Sequence, residues 1–361
     1  MKAILVLEDG TILYGNGFGI EGIAEGELVF NTSISGYVEA LTDPSYAGQI
    51  LMMTYPLIGN YGVTDEDYES DRVQVEGFVI RELCKRPSNW RSKKNLNDFL
   101  IEHGKKGIEE VDTRMLTKKV RVHGTLKAAL IVYKNQQPYS NHELVQMVRN
   151  QPHITEQELI GKVSIHQSID YEVDGQYNVV LVDCGTKRSI INQLLKRKMN
   201  LRIVPYNYPS RDILEMKPNA VLISNGPGDP MKALKTIDTI RRLVKKIPVA
   251  GICLGHQLIS LAMGARTFKL KFGHRGSNQP VKDFETGRVF ISSQNHGFAV
   301  DEKSLRKTGL EITQVNLNDR TIEGLKHKEL PIIAVQYHPE AGPGPHDTHS
   351  FFDEFVKLME R

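Results

Sequence analysis

A cysteine, a histidine and a glutamate can together cleave an amide if the sulfur is exposed to attack and the imidazole is held in place. Cys253 stands in IPVAGICLGHQ, where an apolar strand runs through a sharp turn into a helix. Gly251 and Gly255 flank it in a G-x-C-x-G pattern, the thiol counterpart of the G-x-S-x-G elbow. Such an elbow cramps the backbone at the nucleophile, and glycines two residues to either side leave room for the turn and for a substrate. The helix expected over roughly 255–264 aims its positive end at the sulfur and favours the thiolate. A lone cysteine is more often a core residue. The glycine pair, the polar His256-Gln257 and a downstream motif favour chemistry.

That motif is His338-Pro339-Glu340. A residue before proline is driven to extended backbone, and in an extended chain residues two apart point the same way. Glu340 can therefore reach His338, fix its tautomer and stabilise its imidazolium. Two further loops offer polar backbone. In NGPGDP (225–230), Gly226 and Gly228 leave amides unobstructed, and one of them with the Leu254 N–H could hold an oxyanion. NHGF (295–298) reads as a loop after a strand.

These pieces need elements that bring them together. From Tyr177 strand and helix alternate: NVVLVDC, a helix through SIINQLLKRK, LRIVP, RDILEM, AVLI, a helix near 233–246, then the strand before Cys253. This alternation predicts parallel strands with right-handed crossovers. Sites in such sheets lie at the carboxyl ends of the strands, where the Cys253, NGPGDP and HPE loops fall. Beyond residue 265 shorter β pieces follow, then PIIAV and a closing helix over 350–360. The first part differs. AILVLEDGTILYGNGFG predicts a hairpin turning at Asp9-Gly10, and further strands follow. NLNDFLIEHG predicts a short helix, and VDTRMLTKKVRVHG a helix capped by Asp112 or Thr113 and closed by Gly124. The predicted organisation is a mixed β-rich α/β domain over 1–150, a linker over 151–176, and an open, mostly parallel α/β sheet flanked by helices over 177–361.

Composition excludes several classes. The chain has 361 residues, 46 basic against 43 acidic, for a net charge of +3. That balance argues against nucleic acid or an anionic membrane as partner. The three cysteines are far apart and form no C-x-x-C pair, so neither a disulfide framework nor a metal site is expected. The opening MKAILVLEDG reads as neither signal peptide nor membrane anchor. A reducing, cytoplasmic setting is expected.

Taken together, G-I-C-L-G-H-Q and the downstream H-P-E resemble the class I (triad) glutamine amidotransferases over about 177–361. FNTSISGYVEALTDPSY, YPLIGNYG, VDTRMLT, KFGHRGSNQPV, SQNHGFAVD and HPEAGPGPHDT extend the likeness to the whole chain, and are similar to the family of carbamoyl-phosphate synthetase small subunits. The resemblance implies that Cys253 attacks the side-chain amide of L-glutamine, with His338 as base and Glu340 orienting it. It further implies that glutamine is held by Ser45, Gly226, Gly228, Leu254, Gln257, Asn295, Gly297 and Phe298. It implies a large subunit that uses ATP, its metal ion and bicarbonate, receives the ammonia, and docks on the 1–150 domain. No cofactor is expected on this chain, which lacks a G-x-x-x-x-G-K-[ST] loop. The pair would be a heterodimer, with room for a higher oligomer of heterodimers. The residues alone leave open a γ-glutamyl hydrolase or cysteine peptidase, and an inactive regulatory subunit.

Overall fold

Asp9 and Gly10 turn the chain back on itself as expected. In a computed structural model that describes residues 1–360, strand Lys2–Leu7 pairs antiparallel with Ile12–Gly19. Gly10 takes the positive φ of 92° that the turn requires, and the Asp9 carboxylate accepts from Thr11 N at 2.9 Å. The chain divides into two units, Met1–Gln157 and Glu158–Arg361. In the first, the hairpin joins Lys106–Glu109, Gly77–Val79, Gln49–Met53, Gly22–Asn31 and Leu126–Tyr133 in a closed barrel. Within VQVEGFVIR (73–81) only Gly77–Val79 forms strand. Asp112 caps helix Thr113–His123 by accepting from Met115 N at 2.8 Å, and Gly124 ends it. Helix Asn141–Asn150 starts at a Ser140–Glu143 capping box and packs Leu144 and Val148 onto Ile4, Val6, Ala129 and Ile131.

The second unit is a ten-stranded sheet. Its parallel centre runs in the order Met199–Pro205, Tyr177–Asp183, Ala220–Ile223, Val249–Ile252, Ile332–Val335. The period of two along Tyr177–Asp183 sends alternate residues to opposite faces. Val179 and Leu181 pack with helices Arg188–Lys196 and Ser350–Met359. Val180 and Val182 pack with helices Leu234–Leu243 and Leu254–Ala262. Burial on both faces explains why this strand is an unbroken apolar run. The pieces after residue 265 extend the sheet as antiparallel strands, Thr267–Asp283, Val289–Val300, Leu310–Asn316 and Ile322–His327.

Two expectations are revised. The segment 151–176 is not simply a connection. Ile160 lies in the core of the second unit, and Ile169–Tyr171 pairs antiparallel with Met199–Pro205 as an edge strand. All three edge residues are exposed, so backbone pairing holds them without an apolar signal. NHGF is not a loop. It lies inside strand Val289–Val300, with Asn295 opposite Arg275 and His296 opposite His274. The irregularity that Asn, His and Gly suggest falls on the partner strand, where pairing slips between Lys269 and His274 and Gly273 takes φ 72°.

Candidate active site

Cys253 ends strand Val249–Ile252 and caps helix Leu254–Ala262, with φ 53° and ψ −101°. For a residue with a Cβ this is a strained conformation, costing on the order of 1–3 kcal/mol. The neighbours hold it there. Cys253 N donates to Val335 O at 2.8 Å, and Gly255 N donates to Ser224 O at 3.0 Å. The glycines have a different task from the one expected. A Cβ on Gly255 would lie 2.2 Å from Ile223 O, and one on Gly251 would lie 2.6 Å from the Gly255 carbonyl carbon. Both let helix and strand backbones cross closely beneath the sulfur, and neither opens space for a substrate. Gly255→Ala is expected to destabilise the fold by about 3 kcal/mol, since the obstacle is backbone and cannot swing aside. A urea titration checks this, and a midpoint equal to wild type would contradict the crossing.

His338 is brought to the sulfur through two adjacent strands. Ile252 pairs with Val335, so Cys253 and His338 both follow the carboxyl ends of neighbouring parallel strands. His338 N also donates to Ser293 O at 2.8 Å, which ties its loop to the strand carrying Asn295. His338 Nδ1 lies 2.6 Å from Glu340 Oε1, so the two-residue spacing works as predicted. Nε2 is buried without a hydrogen-bond partner. Burial by itself would lower the His338 pKa, but Glu340 foremost and then Cys253 outweigh it and hold the value up to about 10. The Cys253 Sγ reaches Asn295 O at 3.6 Å.

A fourth charged side chain was not anticipated. Lys187 Nζ lies 2.9 Å from Glu340 Oε1 and donates to Gly342 O at 3.1 Å, with its side chain only 3% exposed. Burial raises a carboxyl pKa, but the Lys187 ammonium and then His338 hold Glu340 down at about 2. One oxygen serves both cations while Oε2 stays unpartnered. The loop bearing Lys187 is set by Asp183, whose Oδ1 accepts from Gly185 N at 3.0 Å and Thr186 N at 2.7 Å. Lys187 N donates to Asn225 Oδ1 at 3.2 Å. The available signal was topological. From Tyr177–Asp183 the sheet grows first to one side and then to the other, and ligands gather at such a switch point.

Several of the other expected residues lie on the helix that Cys253 begins or touch it. Leu254 begins the helix, so its N–H has no intrahelical acceptor. A Cβ on Gly226 would meet the Leu254 side chain at 2.8 Å, which places the 224–229 loop against the helix start. Gly228 follows with φ 83°. Gln257 Nε2 donates to Phe298 O at 2.8 Å and Gln336 Oε1 at 3.0 Å, fixing the helix to the Asn295–Phe298 stretch. Phe298 O also accepts from His296 Nδ1 at 2.8 Å. Gly297 lies beside Arg275, whose guanidinium a Cβ there would meet at 3.2 Å. Ser45 belongs to the first unit. It is buried in the turn Pro44–Tyr46, where its N–H donates to Asp43 Oδ1 at 2.9 Å.

A buried thiol, an imidazole with one free nitrogen, and a carboxylate on the other nitrogen can cleave an amide by way of a thioester. Comparison with known proteins agrees with that chemistry. Residues 180–358 match the model of the family Glutamine amidotransferase class-I, and residues 5–130 match Carbamoyl-phosphate synthase small chain, CPSase domain. The chain is 61% identical over 359 residues to a carbamoyl phosphate synthase small chain of Archaeoglobus fulgidus, covering 99% of both. It is 52% identical over 358 residues to that of Methanopyrus kandleri, again covering 99% of both. With that of Methanocaldococcus jannaschii it shares 51% over 362 residues, 100% of each.

Proposed function

The chain belongs to the carbamoyl phosphate synthase small-chain family, and we propose that Cys253, His338 and Glu340 perform its glutamine hydrolysis. The observation that carries this reading is the His338–Glu340 contact of 2.6 Å, with the opposite ring nitrogen bare and the strained Cys253 beside it. His338 Nε2 takes the thiol proton, and the sulfur attacks the carboxamide carbon of L-glutamine. The oxyanion is met by the Leu254 N–H and an amide of the Gly226–Gly228 loop. Collapse expels ammonia, protonated by His338, and leaves a thioester on Cys253. Water, deprotonated by His338, then cleaves the thioester and frees glutamate. Glu340 keeps the Nδ1 proton in place throughout. Gln257, Asn295, Gly297 and Phe298 line the glutamine site in this reading.

The chain is a glutamine-hydrolysing enzyme subunit, and its family implies a large-chain partner. In our reading ammonia passes to that chain, which uses bicarbonate and ATP to make carbamoyl phosphate for arginine or pyrimidine synthesis. Every step above uses side chains and backbone of this chain, so we assign it no cofactor. We place the pair in the cytoplasm, as a heterodimer or a higher oligomer of heterodimers. Among the described residues no helix is long and apolar enough to cross a membrane. The purified chain should release glutamate from glutamine slowly, and at least about tenfold faster once the large chain is added, because partner contacts often complete a catalytic geometry. Stoichiometric glutamate and carbamoyl phosphate would accompany the increase. Release from γ-glutamyl peptides in preference to free glutamine would overturn the reading.

A further inference from the structure

Helix Thr113–His123 keeps an acidic N-cap at Asp112 and basic residues Arg121 and His123 in its last turn, but its first turn departs from the usual rule. Anionic side chains stabilise the first turn of a helix, yet this turn has no acidic residue and Arg114 stands within it. Arg114, Lys118 and Arg121 are spaced four and three apart, so they share one stripe of the helix. Leu116 and Val120 are buried on another. Arg81 approaches the same stripe from a neighbouring strand end, its Nη1 3.5 Å from Val111 O. Between them lies a cleft of about 610 Å³, also lined by Thr54, Asp112 and Thr117.

None of these four cations pairs with a carboxylate among the described residues. Nearby cations of the same unit do pair. Lys119 meets Asp9 at 2.5 Å, Lys93 meets Asp65 at 3.0 Å, and Arg91 meets Asp67 at 2.7 Å. In a chain whose net charge is only +3, four unpaired cations around one concavity are a local excess. Their backbone is fixed. Glu110 N donates to Arg81 O at 2.9 Å, Glu82 N to Pro56 O at 3.0 Å, and Asp112 caps the helix. Tyr55, 38% exposed, precedes the cleft residue Pro56. Arginines with an exposed tyrosine are the composition of protein-binding surfaces.

We propose that this cleft receives an acidic segment of the large synthase chain, whose carboxylates pair with Arg81, Arg114, Lys118 and Arg121. The inference rests on the functional reading above, which supplies the partner. The cleft lies within residues 5–130, the part matching the small chain's own domain, and outside the amidotransferase match at 180–358. Guanidinium forks fit carboxylates in pairs. The Asp112 carboxylate in the lining opposes a multiply charged phosphate, while separate carboxylates on a peptide can spread over the stripe and avoid it.

The test is the double charge reversal Arg114→Glu with Arg121→Glu in the full chain. An equal charge change at Lys303 and Lys307, both exposed on the other unit, serves as control. Association with the purified large chain is followed by titration calorimetry at several salt concentrations, and folding by thermal melt. The cleft variant should melt as wild type does and keep its basal glutamate release. It should bind the large chain roughly a hundredfold more weakly and lose the stimulation of glutamine hydrolysis. Wild-type affinity should fall with salt, and the variant's far less. The control should bind as wild type. A cleft variant that associates normally overturns the proposal, as does a variant whose only loss is binding of inorganic pyrophosphate. A wild-type chain that hydrolyses glutamine but binds no large chain overturns the partner while sparing the glutaminase. A wild-type chain that does neither overturns the functional reading itself.

Discussion

Cys253→Ala should abolish glutamine hydrolysis, lowering kcat by at least about 10⁴-fold, the scale of loss when a covalent nucleophile is removed. The site offers no substitute sulfur. Cys184 is fully buried, burial pushes its thiol pKa well up, and its carbonyl rather than its sulfur is what approaches Gly226. Cys84 is in the other unit. The substitution should be mild in structure, because the bend is imposed by Val335 O, Ser224 O and the glycine crossing, none of which involves the sulfur. Alanine would inherit the same positive φ, so the melting temperature should change little. Acid-quenched wild type given glutamine should carry a glutamyl adduct on the peptide containing Cys253, and the variant should carry none. Undiminished glutamate release by Cys253→Ala, with a normal melt, would remove the sulfur from the reaction.

How much of this was legible in the sequence depends on what kind of signal each residue leaves. Cys253, His338 and Glu340 were readable because each sits in a local pattern with a direct geometric meaning: an elbow, and a proline-straightened pair. The parallel sheet was readable because burial on two faces produces a plain apolar run. Lys187 was not, since a lysine in a loop ordinarily means a solvated charge. Only the fold reveals that Asp183 and Asn225 bend its loop inward to meet Glu340. The place of Asn295–Phe298 was misread for a related reason. Asn-His-Gly carries turn chemistry, and what makes it a strand is pairing with the preceding strand Thr267–Asp283, whose own slips in register between Lys269 and His274 and between Gly276 and Gln279 break the alternation that would announce the hairpin. The purpose of Gly251 and Gly255 was likewise hidden, because a glycine marks close approach without saying what approaches.

His338→Asn should lower kcat by roughly 10³-fold, within the range for removing a general base and acid, and should also change how stability depends on pH. In the fold His338 is held up to about 10 from its ordinary 6.5. A raised pKa means the folded state binds the proton more tightly, so this stabilisation is complete below about 6.5 and is lost as pH rises through 10. Glu340 is held down at about 2 from 4.5, so its share is complete above about 4.5 and is lost as pH falls towards 2. The two together place greatest stability from this site between about 4.5 and 6.5. Wild type should therefore lose on the order of a few kcal/mol between pH 6.5 and 10 that His338→Asn does not lose. Lys187→Met sharpens the test. Without its ammonium, Glu340 binds a proton more readily, so the acid limb of the kcat profile should move to higher pH. The same variant should be destabilised by about 3 kcal/mol at neutral pH, because it leaves a buried carboxylate short of a partner. A purely structural lysine would reduce stability and leave the acid limb where it is. Chemical denaturation across pH 4 to 10, with matched kcat profiles for the three proteins, separates these cases. Parallel stability curves for wild type and His338→Asn would show that the imidazole is not held in its charged form by Glu340.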